Sequence, residues 1–270
     1  MTTPIMAGQR PDAAAGIHPT AIIDVGAELG EGVEVSPYAM IGPNVKIGAG
    51  TVVGPHAYIE RDTRIGRECF IAKGAVLGTD PQDLKFEGEE TLLIIGDGTT
   101  IREFATLNRG TRASGSTEVG SGCLLMAYSH IPHDARIGDH VIIANGVQMG
   151  GHVVIEDWVT VGGLSVVHQF ARIGAYAFVG GGSRVSKDVA PYTRAAGSPL
   201  KMYGLNTVGL ERRGFSREVR TELKKAYKLL FNSHLNMSQA VAELRSQDIT
   251  CKEVEYLIAF IEASERGISF

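Results

Sequence analysis

The stretch Tyr128–Gly138 reads YSHIPHDARIG and sets His130, His133 and Asp134 within one short run. An imidazole titrates near neutrality, so it can take a proton from a hydroxyl nucleophile, and an acidic neighbour fixes its tautomer. A backbone N–H beside such a pair can hold an oxyanion. The same residue types can instead ligate zinc or iron, or decorate a solvated surface. Further along the chain, His152 and His168 offer further imidazoles.

What positions these residues is a period of six. From Ile17 an aliphatic side chain recurs every sixth residue through Ile23, Leu29, Val35, Ile41, Ile47, Val53, Ile59, Ile65, Ile71 and Leu77. The register resumes at Ile95, Ile101 and Leu107, and again from Val119 to Val185. Positions 83, 89 and 113 break it, which marks insertions near 79–93 and 110–117. Four residues after each aliphatic position comes a second, mostly small register, as at Ala21, Ala39, Ala57, Ala75, Ala135 and Ala171. Two registers held over this length specify a parallel β-helix with one short strand per hexapeptide and three hexapeptides per coil. Aliphatic side chains stack inside it, and coils lie about 4.8 Å apart. Cys69 and Cys123 fall in the small inward register and read as packing residues.

A three-hexapeptide coil has 18 residues, so His133 is expected beside Gly151 and Asp134 beside His152. His130 shares that edge, and His168 follows one coil later. All occupy registers that the core does not use, so they are expected to face solvent or a neighbouring subunit. Gly151 carries no side chain to block approach, and its N–H is a natural oxyanion donor. Adjacent strand residues point to opposite faces, so contact between Asp134 and His133 requires a corner conformation. The insertion TDPQDLKFEGEET (79–91) reads as a loop on one face, either plainly solvated or functional. In the functional case Asp83 is an acceptor for sugar hydroxyls and Lys85 a donor for phosphate.

Composition narrows the function classes. The 270 residues carry a net charge of -4, which gives no reason to expect nucleic-acid or membrane binding. No stretch approaches membrane-spanning length, and MTTPIMAGQRPDAAAG lacks the apolar run of a signal peptide. Three cysteines without CxxC spacing support neither a disulfide framework nor a zinc knuckle, so a reduced, cytoplasmic setting is expected.

After Val185 the period changes. The expected organisation is a flexible tail over 1–15, the β-helix over 16–195 and an α-helical domain over 196–270. Residues 198–215 read as a connecting loop. Ser216 then caps a helix with Val219, Leu223, Tyr227, Leu230 and Phe231 on one face. Ser238 is expected to cap a second helix, and Thr250-x-x-Glu253 to form a capping box for a third. These helices are expected to cover one open end of the β-helix. Segment 211–228 holds seven cations, among them Arg212 and Arg213, against three glutamates. It reads as a solvated helix face or a docking surface for an acidic partner or phosphate.

Read together, the motifs resemble a known family. IHPTAII, PQDLKF, IREFATLNRGT, LLMAYSHIPHDARIG, GGHVVIEDWVTVGG, VHQFARIGA and GLNTVGLERRGFS run in the order of the UDP-N-acetylglucosamine O-acyltransferase family, which begins lipid A synthesis. They span residues 17–230, and HIPHD with GGH and VHQF is specific among hexapeptide proteins. The resemblance implies a left-handed β-helix, homotrimers with active sites between subunits, and acyl carrier protein as donor. It implies His133 as general base toward the sugar 3-hydroxyl, Asp134 as its orienting partner and the Gly151 N–H as oxyanion donor. Asp83, Lys85, His152, His168 and Gln169 match positions lining the sugar-nucleotide and acyl site, and His130 is a structural or substrate-side neighbour. Arg212 and Arg213 match the basic pair near the nucleotide phosphates. Gly181 matches the position that limits acyl length, and a glycine there leaves room for a longer hydroxyacyl chain. No metal or bound cofactor is implied. Asn108 and Ser198 stand where members often have histidine and asparagine, which leaves open a 3-amino sugar as acceptor with an amide product. A metal-dependent enzyme of the β-helical carbonic anhydrase type is the other alternative. Such enzymes carry a His-x4-His pair, whereas the close pair here is His130-x2-His133.

Overall fold

The fold is described by a computed structural model over residues 16–247 and 250–270; the tail expected over 1–15 lies outside them. Two-residue strands alternate with turns, and they stack into the three faces of a parallel β-helix. The first face runs from Ile22–Ile23 through His130–Ile131 and continues with Gln148–Met149, Val166–Val167 and Arg184–Val185. The second runs from Glu28–Leu29 to Arg172–Ile173, and the third from Glu34–Val35 through Phe178–Val179 to Thr193–Ala196.

The pairing register locates both insertions. Met40 pairs with Tyr58, 18 residues on, but Val76 pairs with Thr106 and Thr106 with His130. Those spacings of 30 and 24 place 12 extra residues in one coil and six in the next. The extra chain is the loop 80–91 and the turn 110–115.

Each coil buries one aliphatic side chain per strand. Leu107, Ile131, Met149, Val167 and Val185 form one such column, none more than 7% exposed. Burying each contributes about 1.5–3 kcal/mol, which is what makes the six-residue period binding on the sequence. The small register lies inside too: Ala135, Ala171, Cys69 and Cys123 are buried, and both cysteines are free thiols. Burial pushes the Cys123 thiol up to about 11, as packing residues should behave.

At the corners, non-glycine residues adopt positive φ, among them Tyr128, Asp134, His140, His152, Trp158, Leu164 and Phe170. This left-handed conformation is uncommon for such residues. Here it recurs every 18 residues, at Asp134, His152 and Phe170 on one edge, because each strand must turn sharply into the next face.

The C-terminal part departs from the sequence reading in three places. Residues 198–215 are not a plain loop: Lys201–Leu205 pairs antiparallel with Thr193–Ala196, and helix α1 spans Thr207–Arg212, capped by Asn206. A two-stranded antiparallel ending closes the third face, whereas the hexapeptide pattern speaks only of parallel strands. Helix α2, Arg217–Asn232, is capped by the Ser216 hydroxyl on the Val219 N–H. Helix α3, Met237–Arg245, is capped by Asn236 in a capping box with Gln239, so Ser238 lies inside its first turn. Helix α4, Lys252–Glu262, takes Cys251 rather than Thr250 as its N-cap; Glu253 then stands at the second helical position instead of the third, and no side chain caps this end. Leu210, Leu223, Leu257 and Ile258 pack on Ala190 and Tyr192, so the helices cover the last coil of the β-helix.

Candidate active site

His133 and Asp134 follow the strand His130–Ile131 at the corner between the first and second faces. The positive φ of Asp134 (59°) swings its carboxylate back toward the preceding residue instead of across the strand. His133 Nδ1 and Asp134 Oδ2 are therefore 2.8 Å apart. Asp134 does not face solvent or a neighbour, as its register suggested; its side chain is fully buried, and that of His133 is 13% exposed.

Donors surround the buried carboxylate. The Thr111 N–H donates to Oδ1 at 3.0 Å and the Thr111 hydroxyl to Oδ2 at 2.8 Å. The Ser114 hydroxyl donates to Oδ1, and the Asp134 N–H is itself held by Thr117 Oγ1 at 2.9 Å. Burial pushes the Asp134 carboxyl up, but the bonds from Ser114, His133 and Thr111 outweigh it and hold it at about 2. An ionised Asp134 can only accept, so His133 Nδ1 carries the proton and Nε2 keeps its lone pair.

Gly151 lies against that ring. A Cβ built on it would sit 2.6 Å from His133 Nε2, so only glycine fits without displacing the imidazole. Among the described residues the Gly151 N–H has no acceptor. His152 completes the corner: its ring meets His133 edge-on at 5.2 Å, stacks on Phe170 at 4.6 Å, and places Nε2 3.7 Å from Asp134 Oδ2. His130 sits on the adjacent strand, with Nδ1 2.7 Å from Thr106 Oγ1. Burial pushes the His130 imidazole down, against the opposing hydrogen bond with Thr106 and with a smaller push from the neighbouring His133.

The remaining sequence candidates are distributed differently. His168 and Gln169 are exposed two coils above His133 on the same edge. The half-buried Asp83 accepts the Lys85 N–H at 3.0 Å within loop 80–91, and neither touches the histidines. Gly181 lies at the opposite corner of the first face, three coils higher, or about 14 Å along the axis. Arg213 stacks over Trp158 at 3.8 Å, at the corner between the second and third faces, and burial pushes its guanidinium down. Arg212 ends α1 beside it. One chain therefore unites His130, His133, Asp134, Gly151 and His152, but holds Arg212, Arg213 and Gly181 at other corners. Asn108 is buried, with Nδ2 on Thr79 Oγ1 and the Asp80 carbonyl and Oδ1 without a partner; Ser198 is exposed.

The sequence reading missed Thr106, Thr111, Ser114, Thr117 and Phe170. Phe170 was accessible by adding 18 to His152. Thr117 was likewise accessible by subtracting 18 from Ala135, beside Asp134; Thr106, Thr111 and Ser114 were not, because an insertion separates them from that corner and shifts the register by an amount only the pairing reveals.

His133, Asp134 and His152 offer ligand atoms within 4.8 Å of one another, a spacing that suits a metal ion. However, Asp134 already takes four protein donors and His133 Nδ1 is spent on it. Two Nε2 atoms remain, short of the three protein ligands of a catalytic zinc.

Comparison with known proteins places the chain in a family. Residues 188–269 match the model for domain 2 of UDP-N-acetylglucosamine O-acyltransferase, and 26–61 and 116–151 match bacterial transferase hexapeptide repeats. The acyl-[acyl-carrier-protein]–UDP-N-acetylglucosamine O-acyltransferase of Trichlorobacter lovleyi is 57% identical over 93% of this chain and 98% of its own. The structure of LpxA from Acinetobacter baumannii is 44% identical, with a TM-score of 0.91 over 94% of this chain and 99% of that one. That of the UDP-N-acetylglucosamine O-acyltransferase (LpxA) from Moraxella catarrhalis is 42% identical, with the same TM-score and the same coverage. The architecture is thus the left-handed parallel β-helix with a C-terminal helical domain, and the chain belongs to the UDP-N-acetylglucosamine O-acyltransferase family.

Proposed function

We infer that this protein transfers an acyl chain, expected to be 3-hydroxyacyl, from acyl carrier protein to the 3-hydroxyl of UDP-N-acetylglucosamine, the first step of lipid A biosynthesis. The observation that carries the mechanism is an imidazole with Nδ1 committed to a buried carboxylate at 2.8 Å and Nε2 left over a bare glycine. In this reading His133 Nε2 takes the proton of the sugar 3-hydroxyl while its oxygen bonds to the thioester carbonyl carbon. Asp134 stabilises the imidazolium that forms, and the Gly151 N–H donates to the tetrahedral oxyanion. Collapse breaks the carbon–sulfur bond, and the leaving thiolate recovers the proton from His133. The thioester itself supplies the activation, so the steps need no metal or bound cofactor.

Asp83, Lys85, His130, His152, His168 and Gln169 are assigned to the sugar nucleotide and acyl chain, Arg212 and Arg213 to the nucleotide phosphates, and Gly181 to the far end of the acyl chain. Arg213 and His133 occupy different corners of one chain, which suits a homotrimer whose sites form between subunits. The α2 side chains Arg217, Arg220, Lys224 and Lys228 line a groove with Leu205 and Leu210, a surface suited to an acidic carrier protein. Among the described residues no helix is long and apolar enough to cross a membrane. His133→Ala is expected to lower transfer from hydroxyacyl carrier protein on the order of 10²–10⁴-fold in a folded protein. Near wild-type turnover in that variant overturns the assignment of the base.

A further inference from the structure

We propose that Thr111 and Ser114, supplied by the six-residue insertion at 110–115, are positioning residues that clamp the Asp134 carboxylate and thereby hold the His133 ring in its working orientation. The proposal rests on the reading of His133 as base. In a regular coil the chain would pass from one strand to the next without these residues, and the aliphatic core does not use them. Three of the four hydrogen bonds to Asp134 come from this segment: the Thr111 N–H, the Thr111 hydroxyl and the Ser114 hydroxyl. The fourth comes from His133.

The arrangement fixes a direction as well as a charge. With Oδ1 taken by the Thr111 N–H and Ser114, the carboxylate cannot rotate without breaking those bonds, so Oδ2 stays aimed at Nδ1. The ring plane is then set by one bond at Nδ1 and by the Gly151 backbone beneath Nε2. A histidine one atom from the reacting hydroxyl needs that restraint, because small misplacements of a base cost rate steeply.

The same segment also grips the loop that carries Asp83 and Lys85. Arg109, 3% exposed, donates from Nε to the Gly78 carbonyl at 3.0 Å and pairs with Asp80. Arg112 pairs with Glu87 and lies 3.5 Å from Glu89. One stretch of seven residues (108–114) thus braces loop 80–91 and the His133–Asp134 pair together.

The test separates positioning from mere folding stability. Thr111→Val removes the hydroxyl donor, keeps the N–H and preserves shape; kcat is expected to fall about tenfold, the scale of one hydrogen bond to a charged group, with KM for the sugar nucleotide unchanged. Thr111→Ser restores the donor and is expected to recover kcat to within about twofold, and in an Asp134→Asn background Thr111→Val is expected to cost less than about twofold. Ser114→Ala, at an exposed position, carries the same test should Thr111→Val fold poorly, with a kcat loss that Asp134→Asn likewise absorbs. Wild-type kcat in both single variants, or the same loss with and without Asp134, overturns the clamp. Retained transfer in His133→Ala overturns the clamp and the base assignment together; loss there with wild-type behaviour in Thr111→Val and Ser114→Ala overturns the clamp alone.

Discussion

Gly151→Ala isolates the space beneath the His133 imidazole from the backbone donor, because alanine keeps the N–H and adds one methyl. The ideal Cβ at Gly151 falls 2.6 Å from His133 Nε2 and 3.1 Å from Nδ1, against the 3.4 Å at which ordinary contact begins. The nearest ring atom, Cε1, is only 2.4 Å away, so the ring must withdraw by about 1.0 Å to reach ordinary contact. Its one fixed bond, 2.8 Å from Nδ1 to Asp134, cannot follow, since Asp134 is itself tied to Thr111 and Ser114. Gly151 does not occupy the left-handed region, so the substitution brings no backbone strain and acts through the ring.

Displacing a general base by nearly an ångström costs on the order of 10²-fold in rate, and overpacking costs about 1–3 kcal/mol of stability. Steady-state transfer from hydroxyacyl carrier protein to UDP-N-acetylglucosamine reads the first, and urea unfolding the second. The expected result is a fall in kcat with little change in KM and a folded protein. A variant whose kcat stays within about threefold of wild type would show that the ring tolerates the methyl, and the argument from close approach fails.

Two further outcomes follow from burial and charge. Asp134, held at about 2 against an ordinary 3.8, contributes roughly 2 kcal/mol of stability that is fully present above pH 4 and lost as pH falls through 2. The gap in urea midpoint between wild type and Asp134→Asn should therefore narrow between about pH 4.5 and pH 2, and a gap independent of pH contradicts it. Ile143, fully buried in the column between Leu125 and Val161, should lose about 2–5 kcal/mol on Ile143→Ala in equilibrium unfolding, while the same change at the exposed Ile22 should cost well under 1 kcal/mol.

The β-helix was legible because its core is one-dimensional. A side chain every six residues decides whether each strand buries an aliphatic group, so Ile131, Ile137 and Ile143 declare themselves without any long-range information. The stacking of Gly151 on His133 followed from the same 18-residue arithmetic. What escaped was everything the period does not govern. The antiparallel strand Lys201–Leu205 has no six-residue pattern, and α3 and α4 begin at Asn236 and Cys251 rather than at the first available serine or threonine, α3 being held there by the Asn236–Gln239 capping box. The burial of Asp134 escaped for a related reason: its donors arrive from 20 and 23 residues earlier, across an insertion, at a spacing that no repeat announces.

A comparison of two corners explains why this carboxylate, and not another, suits base catalysis. Asp62 also sits at a positive-φ corner, also buried, one coil below the first insertion. Its Oδ2 pairs with Arg61 at 2.7 Å and lies 3.8 Å from Arg109, so its charge is met by permanent cations. Asp134 is met by hydroxyls, one N–H and the His133 imidazole. None of these carries a fixed positive charge; His133 becomes cationic only after taking a proton. In the proposed mechanism, a buried anion whose nearest cation is conditional stabilises the imidazolium formed when the hydroxyl gives up its proton, and costs little reorganisation because the carboxylate is already fixed. The arginine-paired corner offers no such gain, since its charge is neutralised before any reaction begins. Arg61 and Arg109 thus neutralise Asp62 at the lower corner, while Thr111 and Ser114 of the second insertion leave Asp134 charged, desolvated and aimed at His133.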